Sequence, residues 1–250
     1  MIIRALLVLI LAAAVNATEF MDSWEPGKSE NLSYEIRTFQ PSETVNYCNL
    51  KITRTKDKAP IFIVEQKLTI PGQSLELYST ETYAGENLQI ASSENSFKLP
   101  EQGAKKLEVD TLIIKALADQ GKLTISFNTH RLPRSVLQLT GPLTTTVGFR
   151  LVSRNMDFKI GNVRDYEFIN LLTLKDTISK APEARDSIMG IENVRTPAGT
   201  FDCYKVKNMV SGSESYNYYT TDARHIPVKT EIIDPKSGQP TMTQILQKYE

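Results

Sequence analysis

The sequence predicts an all-β fold: a single curved antiparallel sheet forming a barrel or half-barrel, with at most one or two short helices. Three observations carry that prediction. Apolar and polar residues alternate with period two over many segments. Turn-forming Pro, Gly and Asp clusters separate neighbouring segments, and no low-complexity tract or flexible linker divides the chain. Closing the sheet would also remove the exposed edges that so much strand otherwise presents.

The expected strands run, in order, over Leu32–Phe39, Val45–Thr55, Ile61–Ile70, Leu75–Tyr83, Lys106–Leu117 and Leu123–Phe127. They continue with Tyr166–Leu174, Phe201–Val210, Ser215–Thr221, Ile226–Ile232 and Thr243–Tyr249. Leu123, Ile125 and Phe127 alternate with Lys122, Thr124 and Ser126, the pattern of a half-buried strand. Pro71-Gly72 and Asp119-Gln120-Gly121 read as hairpin turns, and Asp234–Gly238 reads as a longer loop joining the last two strands. Thr196-Pro197-Ala198-Gly199 suits a β-turn, because proline pre-sets the second position and glycine fills the fourth. The best helix candidate is Thr145–Ser153, weakened by Gly148. Ala104–Leu117 also reads as a helix, but its alternating Leu107, Val109, Thr111 and Ile113 favour strand.

Residues 1–17 have the layout of a secretory signal peptide: Arg4, an apolar run from Ala5 to Val15, and the small-x-small site Val15-Asn16-Ala17. The expected mature chain is therefore one β-barrel-like domain over residues 18–250, periplasmic or secreted, with no transmembrane anchor. Charge is balanced at 29 basic and 29 acidic residues, so no global field draws the protein to nucleic acid.

From Met156 onward the chain carries Asp157-Phe158-Lys159-Ile160-Gly161, then Thr196-Pro197-Ala198-Gly199-Thr200-Phe201, then Tyr218-Tyr219-x-x-Asp222-Ala223-Arg224 and Ile226-Pro227-Val228-Lys229. This segment resembles a family of exported bacterial proteins catalogued as a domain of unknown function. The resemblance implies a curved antiparallel sheet or incomplete barrel in the cell envelope, similar in style to periplasmic lipoprotein-carrier half-barrels. It carries no catalytic role to any residue. On their own chemistry, Pro197 and Gly199 make a turn, Phe201 starts the returning strand, Asp222 neighbours Arg224, and Pro227 marks an edge or strand start.

Catalytic and metal chemistry find little anchor. His130, His225, Cys48 and Cys203 are widely spaced, without a zinc-binding or nucleophile-elbow pattern, and no cofactor is indicated. Thr177-Ile178-Ser179-Lys180 only superficially approaches a Ser-x-x-Lys pair, and a hydrolase centred on His225 would need Asp222 and one of Ser211, Ser213 or Ser215 to converge on it. Glu65, Glu76 and Glu81 read as surface carboxylates. Cys48 and Cys203 either form a disulfide or remain separate thiols; Cys48 shares a face with Leu50 and Ile52, whereas Cys203 alternates with Lys205 and Lys207, which argues against pairing.

Two features point to binding. The stretch between Asp119 and Asp157 is free of acid but carries Lys122, Arg131, Arg134, Arg150 and Arg154, a positive face if their strands align them. Tyr204, Tyr216 and Tyr218 either line a groove or pack across strands. The expected function is non-enzymatic binding of an apolar or amphipathic, lipid-like ligand or of a cell-envelope partner, with Tyr204, Tyr216, Tyr218, Arg150 and Arg154 as candidate contacts. The alternative is a scaffold or interaction module with a filled core.

Overall fold

The computed structural model describes residues 20–21, 23–39, 43–73, 75–85, 87–171 and 181–250. Among them, fifteen strands form one sheet in the order β8-β7-β6-β5-β4-β3-β2-β1-β15-β14-β13-β12-β11-β10-β9. One arm is a meander of β1 (Ser29–Thr38), β2 (Thr44–Arg54), β3 (Ile61–Ile70), β4 (Leu75–Ala84), β5 (Gln89–Lys98), β6 (Thr111–Asp119), β7 (Lys122–Phe127) and β8 (Ser135–Gln138). The other arm comprises β9 (Leu143–Thr145), β10 (Val163–Ile169), β11 (Glu183–Thr196), β12 (Gly199–Val210), β13 (Ser213–Thr220), β14 (Pro227–Ile233) and β15 (Pro240–Tyr249). β1 joins the arms by pairing with both β2 and β15. All the ladders are antiparallel except β9 with β10.

Connectivity forces this sheet to roll up. Laid flat, its fifteen strands would set β8 and β9 about 67 Å apart at ~4.8 Å per strand. Residues 139–142, which join those two edge strands, span at most about 18 Å. The edges meet without pairing to each other. Instead Leu139 N–H donates to the Gly121 carbonyl on one side, and Glu167 N–H donates to the Pro142 carbonyl on the other.

The chain then turns inward. All three residues of β9 are buried, and helix α2 (Phe149–Val152) with the following 3₁₀ turn (Ser153–Asn155) carries it across the concave side. This plug meets a polar stripe on the inner face of β3, β4 and β5, formed by Gln66, Ser79, Glu81, Ser93 and Asn95, all buried. Glu81 accepts hydrogen bonds from Tyr83 Oη (2.7 Å), Ser93 Oγ (3.0 Å) and Thr145 Oγ1 (2.6 Å). Three donors keep the carboxyl satisfied out of water, although burial still raises its pKa. Gly148 is required where the plug touches this stripe, since a Cβ there would lie 1.6 Å from Tyr83 Oη.

Apolar inner faces supply the rest of the core, with Leu32, Tyr34, Leu50, Ile52, Phe62, Val64, Ile114 and Ile125 all buried. Phe20 and Trp24 seal one end against Phe62, the Trp24 and Phe62 rings meeting edge-on at 5.5 Å.

Several sequence expectations need correction. Residues 101–107 form helix α1, so the strand expected from Lys106 starts at Thr111, after Glu108 in the left-handed conformation. The expected helix from Thr145 shrinks to α2, with Thr145 itself in β9. Strands β5, β8, β9 and β11 lie outside the expected strands. Glu81 is buried, whereas Glu65 pairs with Lys51 and Glu76 with Lys67 at the surface. The two cysteines are both buried, free thiols rather than a disulfide. Four strands separate β2, which carries Cys48, from β12, which carries Cys203. The expected Tyr166–Leu174 strand ends at Ile169; residues 172–180, including the Ser179-Lys180 near-motif, lie outside the described residues, as does the expected leader.

Candidate functional site

The plug fills only part of the concave side. Between α2 and the inner faces of β10, β12, β13, β14 and β15 lies a partly open cavity of about 720 Å³, within the size range of small-molecule sites. Strand register explains its lining. Asn208 pairs with Ser215, Ser215 with Ile232, and Ile232 with Met242, so these four share one face. Asn217, Thr230 and Gln244 form the next row on that face. Phe149, Phe168, Ile169, Val210, Ile232 and Met242 make the lining mainly apolar.

Polar groups gather at the α2 side. The Arg150 guanidinium donates to Gln66 Oε1 (3.2 Å) and Gln244 Oε1 (2.5 Å), and lies 5.7 Å from the centre of the Tyr34 ring. Tyr34 Oη donates to the Pro227 carbonyl at 2.8 Å, and burial raises its pKa. Asn217 is buried; its Oδ1 accepts from Thr230 Oγ1 at 2.9 Å, while its Nδ2 has no hydrogen-bond partner among the described residues.

A second buried polar group adjoins the lining at Asn208. Asn208 Nδ2 donates to Asp186 Oδ1 at 2.8 Å, and Tyr166 Oη donates to the same oxygen at 3.3 Å. Burial outweighs these bonds and the nearby Arg164, and pushes the Asp186 carboxyl up to about 6. The same burial raises Tyr166 and Tyr219.

Of the residues singled out in the sequence, Arg150, Pro227, Ser211, Ser213 and Ser215 reach the cavity lining. Arg154 lies elsewhere, its side chain 0% exposed and paired with Glu30. Tyr204 packs on Phe158, with ring centres 5.1 Å apart. Tyr216 and Tyr218 occupy the face of β13 opposite Asn217 and Tyr219, with Lys205 Nζ 4.9 and 5.8 Å from their ring centres. Tyr218 Oη donates to Glu231. Arg131 pairs with Glu108 at the surface, whereas Arg150 lines the cavity and Arg154 is buried, so the acid-free stretch does not present these three cations on one face. Pro197 and Gly199 form the β11–β12 turn, Phe201 packs edge-on against Tyr249 at 6.0 Å, and Asp222 Oδ1 accepts from Arg224 N–H at 2.9 Å.

His225 stacks on Phe158 at 4.0 Å and its Nδ1 lies 3.0 Å from the Thr220 carbonyl. Ser211, Ser213 and Ser215 line the cavity, whereas His225 and Asp222 are not part of that lining. Among the described residues, no three His, Cys, Asp or Glu side chains are grouped to hold a metal ion, and no helix is long and apolar enough to cross a membrane.

No family model matches the chain, and no curated protein matches it in sequence. Its fold is similar to that of a beta-barrel-like protein of the domain of unknown function DUF1849 from Brucella abortus, at a TM-score of 0.54 and 8% identity over 90% of this chain and 98% of that one. A protein with YmcC-like fold from Bacteroides fragilis overlaps more loosely, at a TM-score of 0.36 and 11% identity over 90% of this chain and 97% of that one. At such identities the first likeness shows a shared barrel-like fold and says nothing of activity.

Proposed function

We propose that the protein is an exported carrier that holds a lipid-like, amphipathic molecule in the cavity between α2 and β12–β15. The observation that supports this most directly is the combination of a roughly 720 Å³ space, a mainly apolar lining and a few inward polar groups. A half-barrel whose interior was wholly filled by its own side chains would offer no such space. The leader-like residues 1–17 support export, to the periplasm or beyond the cell. Carriage rather than catalysis is favoured because His225 is engaged with Phe158 and Thr220 instead of facing the serines of the cavity.

The experiment is titration with a fluorescent apolar probe such as N-phenyl-1-naphthylamine. Saturable binding at one site, abolished by Ile232→Trp in a folded variant, is the expected result; absence of saturable binding removes the carrier reading.

An interaction module is the second reading. It is favoured by the exposed apolar side chains of Ile160 (63%), Val163 (55%), Met189 (55%) and Ile191 (52%). Gly161 N–H donates to the Ile188 carbonyl, which brings the two segments side by side. A neighbouring group of this kind suits an envelope-protein partner.

A further inference from the structure

The cavity specifies the polar end of its ligand. We infer that it takes an acyl chain bearing an anionic oxygen head, a carboxylate or a phosphate, seated between Arg150 and Asn217. This rests on the carrier reading and adds the head group to it.

Among the described residues, no acid pairs with Arg150. Its three acceptors, Gln66 Oε1, Gln244 Oε1 and the Thr146 carbonyl, are all neutral. The neighbouring plug residue Arg154 shows the contrast, because its guanidinium is matched by Glu30. Glu214, the acidic side chain on the cavity lining, is taken by Lys207 at 2.6 Å. A half-buried guanidinium facing an apolar space therefore retains an electrostatic demand that a ligand anion would meet with charge-assisted hydrogen bonds.

Asn217 adds an independent donor. Its side chain is 2% exposed and its Nδ2 has no partner among the described residues, a state that costs free energy until an acceptor arrives. The two donors belong to one place. Asn217, Thr230 and Gln244 are successive neighbours across β13, β14 and β15. Arg150 donates to Gln244, two ladder positions from Asn217, and both Arg150 and Asn217 line the cavity. Beyond them, Phe168, Val210, Ile232 and Met242 offer an apolar path for a chain.

The test is displacement of the bound fluorescent probe by palmitate, hexadecyl phosphate, hexadecanol and hexadecyltrimethylammonium, each below its critical micelle concentration. One or both anions should displace the probe at a concentration at least about tenfold below that of hexadecanol, as one charge-assisted pairing requires. Which anion wins distinguishes a carboxylate head from a phosphate. Arg150→Gln should bring the ratio between anion and alcohol close to one, Arg150→Lys should keep most of it, and Asn217→Leu should reduce it severalfold, with folding of each checked by circular dichroism. Equal displacement by anions and alcohol, or preference for the ammonium, overturns the head assignment while leaving a carrier. Failure of the probe and all four amphiphiles to bind overturns both.

Discussion

Arg154 and Glu30 face each other through two hydrogen bonds, Nη1 to Oε1 at 2.6 Å and Nη2 to Oε2 at 3.0 Å, with both side chains sealed from water. The guanidinium also donates to the Arg224 carbonyl and lies 5.1 Å from the Trp24 ring centre. One side chain thus ties the plug to β1, to the loop before β14 and to the N-terminal aromatic cap. Arg154→Ala leaves a buried carboxylate unmatched and is expected to cost about 3–5 kcal/mol. Arg154→Met with Glu30→Leu should recover most of that loss. Urea denaturation of the three proteins checks it; a loss below about 1 kcal/mol for the single variant would contradict the assignment.

Gly148 marks how tightly the plug is seated against Tyr83. Gly148→Ala is expected to destabilise the fold by about 3 kcal/mol, since the new methyl displaces a ring that is itself bonded to Glu81. Gly141→Ala, where a Cβ meets nothing within 4 Å, should change stability by less than about 1 kcal/mol. Matched thermal melts of the two variants compare them directly.

The Asp186 carboxyl makes stability fall as pH rises. Its folded value of about 6 lies above the ordinary 3.8, so the folded chain holds this proton more tightly than the unfolded chain. The contribution is complete below about 3.8 and is lost as pH climbs through about 6, amounting to at most about 3 kcal/mol. Asp186→Asn mimics the protonated group, still accepting from Asn208 and Tyr166. It should stabilise the protein at pH 7.5 and leave it unchanged at pH 4, as read by the difference in urea midpoints at the two values. An equal effect at both would refute the titration.

Cys48 and Cys203 are predicted to stay reduced in the folded protein. Burial raises both thiols, Cys203 to about 12, so neither is a ready nucleophile. Ellman's reagent should count two thiols per chain after unfolding without reductant, and react only slowly before it. A count of zero would reveal a disulfide.

The amphipathic strands are legible where apolar residues dominate the inward positions, as in β3, where Phe62 and Val64 are buried beside Gln66. Ile61–Ile70 was bounded to the residue, and the Pro197–Gly199 turn and the Asp234–Gly238 loop fell where expected. β5 escaped because its inward positions include Ser93 and Asn95, which serve the buried Glu81 network and erase the hydrophobic alternation. β11 escaped for a related reason: Asp186 faces inward, and an irregularity between Ile188 and Gly190 shifts the register. The end of α1, Lys106 and Leu107, reads as strand because Leu107 and Val109 continue the alternation of Thr111 and Ile113.

The site was less legible than the fold. Arg150 stood out as a cation in an acid-free stretch, yet nothing local distinguished it from Arg154, which finds Glu30 at a distance of 124 residues along the chain. Tyr216 and Tyr218 attracted notice as aromatics, whereas the cavity-facing residues of β13 are their alternate neighbours Ser215, Asn217 and Tyr219. Choosing between the two faces of that strand required knowing which side the plug occupies.

Native mass spectrometry of the protein, released gently from its own cells, tests the central claim most directly. The account predicts a population carrying a bound amphiphile that dissociates on collisional activation and is missing from Ile232→Trp. A clean, unliganded mass for the gently released protein, unchanged after incubation with long-chain anionic amphiphiles, would contradict it.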